Sequence, residues 1–130
     1  MIKFTIPVIP RTKKNSQQVF VRNGRVINVP SKLYKEFEEQ CCWLIPTKYK
    51  LKIDYPVNVK ALYFVKRNAR IDITNLESAL MDALVKAGVL ADDSAIKPAI
   101  VVSTDGSRVY YDKDNPRIEI EIERSKENGN

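Results

Sequence analysis

The last quarter of the chain contains the run Ile118-Glu119-Ile120-Glu121-Ile122-Glu123, three apolar residues in strict alternation with three acids. Successive side chains of a strand point to opposite faces, so this segment forms a strand with one buried face and one wet face. Such a strand belongs in a sheet that packs on one side only. The opening Ile2-Lys3-Phe4-Thr5-Ile6-Pro7-Val8 repeats the pattern, with Ile2, Phe4, Ile6 and Val8 on one face. Val57 to Val65 is rich in β-branched and aromatic residues, and both faces are fairly apolar, which marks a central strand.

Two helices supply the cover. After Pro30, Ser31 is a plausible N-cap, and Leu33, Phe37, Cys41 and Leu44 recur at helical spacing, with Tyr34 and Ile45 widening the stripe. Pro46 ends that helix. The second begins near Thr74-Asn75-Leu76-Glu77, which fits a capping box with Thr74 at N-cap and Glu77 at N3. Leu76, Leu80, Ala83, Leu84 and Ala87 form its apolar stripe, and Gly88 is a natural C′ residue. Asn23-Gly24 suits a tight hairpin turn between Val19–Arg22 and Arg25–Asn28, a candidate basic finger. Ala99 to Val102 and Ser107 to Tyr111 read as further strands joined by an Asp105-Gly106 turn, a hairpin in outline. The expected fold is α+β: a single mixed or antiparallel sheet with two helices packed on one side. Residues 1–124 are expected to form one domain and 125–130 a flexible polar tail.

Composition removes several chemistries. The 130 residues include no histidine, which excludes Ser-His-Asp and Cys-His catalysis and His-ligated zinc. The two cysteines, Cys41 and Cys42, are adjacent, a poor arrangement for a disulfide and no zinc spacing. They read as small buried thiols in a reducing compartment. No apolar run spans a membrane and the start lacks the shape of a signal peptide, so a cytoplasmic location is expected. A net charge of +6 favours a polyanionic partner without specifying any chemistry.

Against that basic background, Arg70-Ile71-Asp72-Ile73-Thr74-Asn75-Leu76 and, one helix later, Asp92-Asp93-Ser94 place acids on both sides of the second helix. Alone, Asp72 is an ordinary helix-start acid and Asp92-Asp93 an ordinary turn. Together they are candidate ligands for a divalent cation. A helix from Asn75 to Ala87 is about 20 Å long, and five residues beyond Gly88 can return about 17 Å, so Asp93 can reach Asp72 within one chain or across a dimer. Lys13, Lys14 and Asn15 form a candidate phosphate clamp, and Arg22, Arg25, Arg67, Arg70 and Arg108 are further candidate DNA contacts. Tyr110 and Tyr111 are candidates for stacking on unpaired bases.

These blocks, in this order, resemble the RusA family of Holliday-junction resolvases of bacteria and their phages. Asp72-Ile73-Thr74-Asn75-Leu76 is similar to the family's Asp-x-Asp-Asn block. Ala79-Leu80-Met81-Asp82-Ala83-Leu84 resembles its Ala-Leu-rich helix, and Asp92-Asp93-Ser94-Ala95-Ile96 its acidic pair. Ile6-Pro7-Val8-Ile9-Pro10 and Lys14-Asn15-Ser16 resemble its opening strand and Asn-containing loop. The resemblance implies a homodimer acting on four-way DNA in recombination and repair. It implies Mg²⁺-dependent cleavage (Mn²⁺ as an alternative ion), with Asp72 and Asp93 as metal-binding catalytic acids and Asp92 as an auxiliary one. The chain departs from the family pattern at Thr74, where a second Asp is expected, and at Ser78, where a Lys is expected. The rival expectations are a junction-binding protein that has lost cleavage, and a small single-strand or RNA-binding module using Tyr110 and Tyr111.

Overall fold

The computed structural model describes residues 1–12, 17–30, 32–68, 70–91 and 100–126. In chain order these form β1 (Ile2–Ile6), β2 (Gln17–Arg22), β3 (Arg25–Pro30), α1 (Lys32–Leu44), β4 (Val57–Val65), α2 (Ile73–Lys86), β5 (Val101–Ser103), β6 (Arg108–Tyr111) and β7 (Arg117–Arg124). One mixed sheet of five strands and two helices give the α+β fold expected from the patterning.

β4 is the central strand. It pairs antiparallel with β7 on one side and parallel with both β5 and β6 on the other, while β1 pairs antiparallel with the far side of β7. The alternation of the strands translates directly into burial. Ile118, Ile120 and Ile122 of β7, and Val57, Val59, Ala61, Tyr63 and Val65 of β4, face the core, while their neighbours remain partly exposed. On the open face Lys60 bridges to Glu121 at 2.9 Å, with Lys3 on the same carboxylate's other oxygen at 3.6 Å. Opposite charges at cross-strand positions are the usual solution for a solvated sheet surface.

The expected β5–β6 hairpin does not form. The two strands do not pair with each other; each pairs with a different stretch of β4, at Val57–Asn58 and at Leu62–Val65. A turn in which Ser107 N–H donates to Thr104 O lies between them, and the Ser107 hydroxyl accepts from Ala61 N–H at 3.0 Å. That side chain satisfies a β4 donor exactly where the ladder is interrupted, as a buried amide requires.

Asn23 (φ 54°) and Gly24 (φ 75°) both take positive φ in the β2–β3 turn, as the Asn-Gly pair requires. β2 and β3 form a separate two-stranded ladder in which Arg22 is the cross-strand partner of Arg25.

α1 is rotated relative to the stripe expected for it. Tyr34, Phe37, Cys41 and Ile45 are buried, whereas Leu33 and Leu44 are 48% and 39% exposed. Spacings of three, four and four residues keep the buried set on one helix face. Tyr34 donates to Glu38 at 3.0 Å, and Glu38 accepts from Lys86 at 3.3 Å, joining α1 to α2. Both cysteines are free, and burial pushes the Cys41 thiol up to about 12, which leaves it inert near neutral pH.

α2 buries Leu76, Ala79, Leu80, Ala83 and Leu84 and ends in a Schellman motif. Gly88 N–H donates to Val85 O at 3.1 Å and Val89 N–H to Leu84 O at 2.9 Å, with Leu84 and Val89 both buried. Gly88 sits at φ +85° with nothing closer to an added Cβ than Lys50 Cβ at 3.9 Å, so backbone conformation alone selects glycine. Gly88→Ala is expected to cost about 1–2 kcal/mol in urea denaturation, and Gly88→Asn less, because asparagine tolerates this region. β7 runs to Arg124, and the buried Ser125 beyond it still donates its N–H to Pro56 O at 2.9 Å.

Candidate metal and nucleic-acid site

α2 begins at Asp72, and this revises how its first turn is built. Asp72 is the N-cap: it has extended backbone (φ −74°, ψ 116°), and its Oδ1 accepts from Thr74 N–H at 2.9 Å. Its carbonyl accepts from Asn75 and Leu76 N–H at 3.1 and 3.3 Å. The capping box expected from Thr74 and Glu77 therefore does not exist. Aspartate caps at least as well as threonine and its charge complements the helix N-terminus, so the earlier residue wins. Thr74 lies inside the first turn, and Glu77 is released to accept from the Thr104 hydroxyl at 3.3 Å. No local pattern signals that contact, since its partners are 27 residues apart.

The consequence for chemistry is that the Asp72 carboxylate is held by backbone rather than by a basic side chain. It is exposed, and its Oδ2 has no hydrogen-bond partner among the described residues. Arg67 and Arg70, shortly before it, are exposed and make no ion pair among the described residues; the same holds for Arg108 on β6. Thr74 and Ser78, one turn apart, are also exposed, so neutral hydroxyls stand on the solvent side of the first two turns. Arg22 and Arg25 flank the β2–β3 turn.

Asp92 and Asp93, like Lys13, Lys14 and Asn15, lie outside the described residues. The chain leading to the acidic pair is well placed, however. Ile53 and Leu90 form a parallel bridge, and Ala91 N–H donates to Ile53 O at 2.8 Å. Leu90, Ala91, Ile100 and Val101 line a hollow of about 270 Å³ together with Met81, Asp82 and Val85 of α2. The chain thus enters and leaves residues 92–99 beside the flank of α2. Among the described residues no group of three or more His, Cys, Asp or Glu is close enough to hold a metal ion.

Tyr63 carries a group that sequence patterning did not flag. Its ring is fully buried and its hydroxyl has no hydrogen-bond partner among the described residues. Burial raises its pKa well above the usual tyrosine value, and the Glu77 carboxylate adds to the effect. An unpaired buried hydroxyl is a cost that phenylalanine does not carry. Tyr63→Phe is expected to raise stability by about 1 kcal/mol in urea melts. A loss of stability would mean that the hydroxyl has a partner.

Among the described residues no helix is long and apolar enough to cross a membrane. A search of curated proteins finds no match to the chain. The family model for RusA endodeoxyribonuclease matches residues 7–123. RusA proteins are divalent-metal-dependent endonucleases that act on branched DNA and resolve Holliday junctions. The match takes in β2 through β6 and nearly all of β7, and the five-stranded α+β fold agrees with it. The chain therefore belongs to the RusA endodeoxyribonuclease family.

Proposed function

We propose that the chain is a Mg²⁺-dependent endonuclease that resolves four-way DNA junctions, with Asp72 and Asp93 as its metal-holding catalytic carboxylates and Asp92 as an auxiliary one. The observation that carries the proposal is the Asp72 carboxylate, fixed by Thr74 N–H through one oxygen, with no hydrogen-bond partner on the other among the described residues, a few residues after the exposed Arg67 and Arg70. Hard divalent cations take oxygen ligands and favour anionic ones.

Backbone distances support bringing Asp93 to the same place. Met81, which shares the hollow with Ala91, is nine residues from Asp72, about 14 Å along the helix axis. Two residues beyond Ala91 span up to about 7 Å, which leaves a gap that two carboxylates and a shared ion reduce further. A bound Mg²⁺, or Mn²⁺ in its place, supplies charge neutralisation at the scissile phosphate and lowers the pKa of a water. The chain's own contribution is to fix Asp72 before substrate arrives, so that little ordering remains at the moment of reaction. Arg67, Arg70, Arg108, Arg22, Arg25, Lys13, Lys14 and Asn15 seat the surrounding phosphates. A homodimer fits the paired cuts that a four-way junction requires. The outer face of α1, with Leu33 half exposed and Trp43 86% exposed, is a candidate contact surface for the second protomer.

The test is a labelled four-way junction and a sequence-matched duplex, each incubated with protein with and without Mg²⁺. Cleavage of the junction alone, and only with the ion, is the expected result. Tight junction binding with no cleavage in Mg²⁺ or Mn²⁺ would select the non-catalytic reading instead, in which the neutral Thr74 and Ser78 have left the site unable to cut.

A further inference from the structure

Three side chains from three neighbouring strands stand in a row on the open face of the sheet. Phe64 of β4 is the cross-strand partner of Arg117 on β7 and of Tyr110 on β6. The Arg117 guanidinium lies 3.7 Å from the Phe64 ring centroid. Phe64 and Tyr110 are stacked, with centroids 5.1 Å apart and planes 19° from parallel. The repeat is that of the strands themselves, about 4.8 Å, so the row is a ladder of flat groups perpendicular to the sheet.

The two ends of the ladder differ. At the inner end Arg117 is engaged through two of its nitrogens: Nε donates to Glu119 at 2.8 Å, and Nη1 donates to Asp112 and to the Asn115 carbonyl, each at 2.9 Å. These contacts hold the Asp112 carboxyl below its usual range and raise the guanidinium. Arg117 is therefore a brace, with its charge already answered. At the outer end β6 has no strand beyond it among the described residues, and Tyr110 is 43% exposed. One face of its ring rests on Phe64, and no other ring or cation stacks on it among the described residues.

Arg108 lies two residues before Tyr110, on the same face of β6 and about 7 Å away along the strand. It is exposed and makes no ion pair among the described residues. A flat ring with one face uncovered by the described residues, and a guanidinium with no ion pair among them, at this separation match a nucleotide's base and phosphate. Because β6 runs parallel to β4, both tyrosines sit at the end of the sheet where β4 gives way to Lys66 and Arg67 and then to Asp72.

We propose that Tyr110 is a stacking platform for an unpaired DNA base, with Arg108 holding the adjoining phosphate and the Arg117–Phe64 stack keeping the ring upright. The platform deepens the DNA-acting reading above and rests on it for its ligand. Base stacking on an aromatic ring is tolerant of sequence, so the site would bind strands opened near a branch point without reading their bases.

The test uses a short oligothymidylate carrying one 5-iodouracil, irradiated with wild-type protein in EDTA and mapped by mass spectrometry. Crosslinking at Tyr110 is expected. In anisotropy titrations with a fluorescein-labelled oligothymidylate, Tyr110→Ala should weaken binding about 10-fold, while Tyr110→Phe keeps near-wild-type affinity. Arg108→Ala should weaken binding and reduce the salt slope by about 0.7. Crosslinks that map away from β6, wild-type affinity in Tyr110→Ala, or an equal loss in Tyr110→Phe would each overturn the proposal. The crosslink is read on the wild-type chain, so a misfolded variant does not remove the test. Separate arms keep the two readings apart: a crosslink at Tyr110 in EDTA, from a protein that fails to cut junctions in Mg²⁺ or Mn²⁺, leaves the platform standing and the nuclease assignment refuted. Junction cleavage without the crosslink does the reverse.

Discussion

Asp72→Asn is expected to lower junction cleavage about 1000-fold while changing stability by less than about 1 kcal/mol. The separation would arise because the proposal gives Asp72 two roles, which asparagine divides. As N-cap it accepts Thr74 N–H at 2.9 Å, and an asparagine amide oxygen does this as well as a carboxylate. Only the charge at the helix N-terminus is lost, worth about 0.3–1 kcal/mol at an exposed site. As the proposed metal ligand it would supply an anionic oxygen, which an amide does not. Asp72→Ala should lose both, with the same fall in rate and a further loss of about 1 kcal/mol. Single-turnover cleavage and urea denaturation on the three proteins check this. An Asp72→Asn protein that cuts at the wild-type rate would reduce Asp72 to a cap.

Leu80→Ala should be among the most damaging single truncations in α2, costing about 3 kcal/mol. Leu80 is fully buried in the core cluster beneath the central strands, and the cavity left by three missing carbons has little freedom to collapse. For a domain whose whole stability is about 5–15 kcal/mol, that is a large fraction. Leu33→Ala on α1 is the matched control, because Leu33 is 48% exposed and its truncation should change stability by under about 0.5 kcal/mol. Equal losses from the two would mean that Leu33 is buried in solution, by the core or by a second protomer, which protein concentration would distinguish.

Leu33 also illustrates what periodicity can and cannot resolve. Leu33-Phe37-Cys41-Leu44 and Tyr34-Phe37-Cys41-Ile45 both satisfy a helical stripe, and an amphipathic pattern about 100° wide does not choose between neighbouring alignments. The core chooses, by accepting Tyr34 and Ile45. In α2 the expected stripe is buried, with Ala79 added to it, and the Gly88 terminus was legible from the glycine itself. The one-faced β7 was legible because alternation is a local property, and β4 was legible as a strand from its apolar content, although its burial alternates as strictly as that of β7. The pairing of β5 and β6 with β4 was not, because Asp105-Gly106 signals a turn but not which strands flank it in space. At the site, both Asp72 and Thr74 are good N-caps, and the Thr-x-x-Glu spacing favoured the wrong one. That spacing draws Glu77 into the same box, while its actual partner Thr104, 27 residues away, leaves no local signal. The acidic pair was legible as a motif, but its position relative to Asp72 lies outside the described residues.

The central claim is that Asp72 and Asp93 grip one ion together, and a double-mutant cycle tests it most directly. Single-turnover cleavage of a four-way junction in Mg²⁺ would be measured for wild type, Asp72→Asn, Asp93→Asn and the double variant. Residues that act as a unit are non-additive, so each single change should remove most of the rate and the double should be little worse than either. Single losses that multiply in the double variant, or wild-type cleavage by either single variant, would contradict a shared ion.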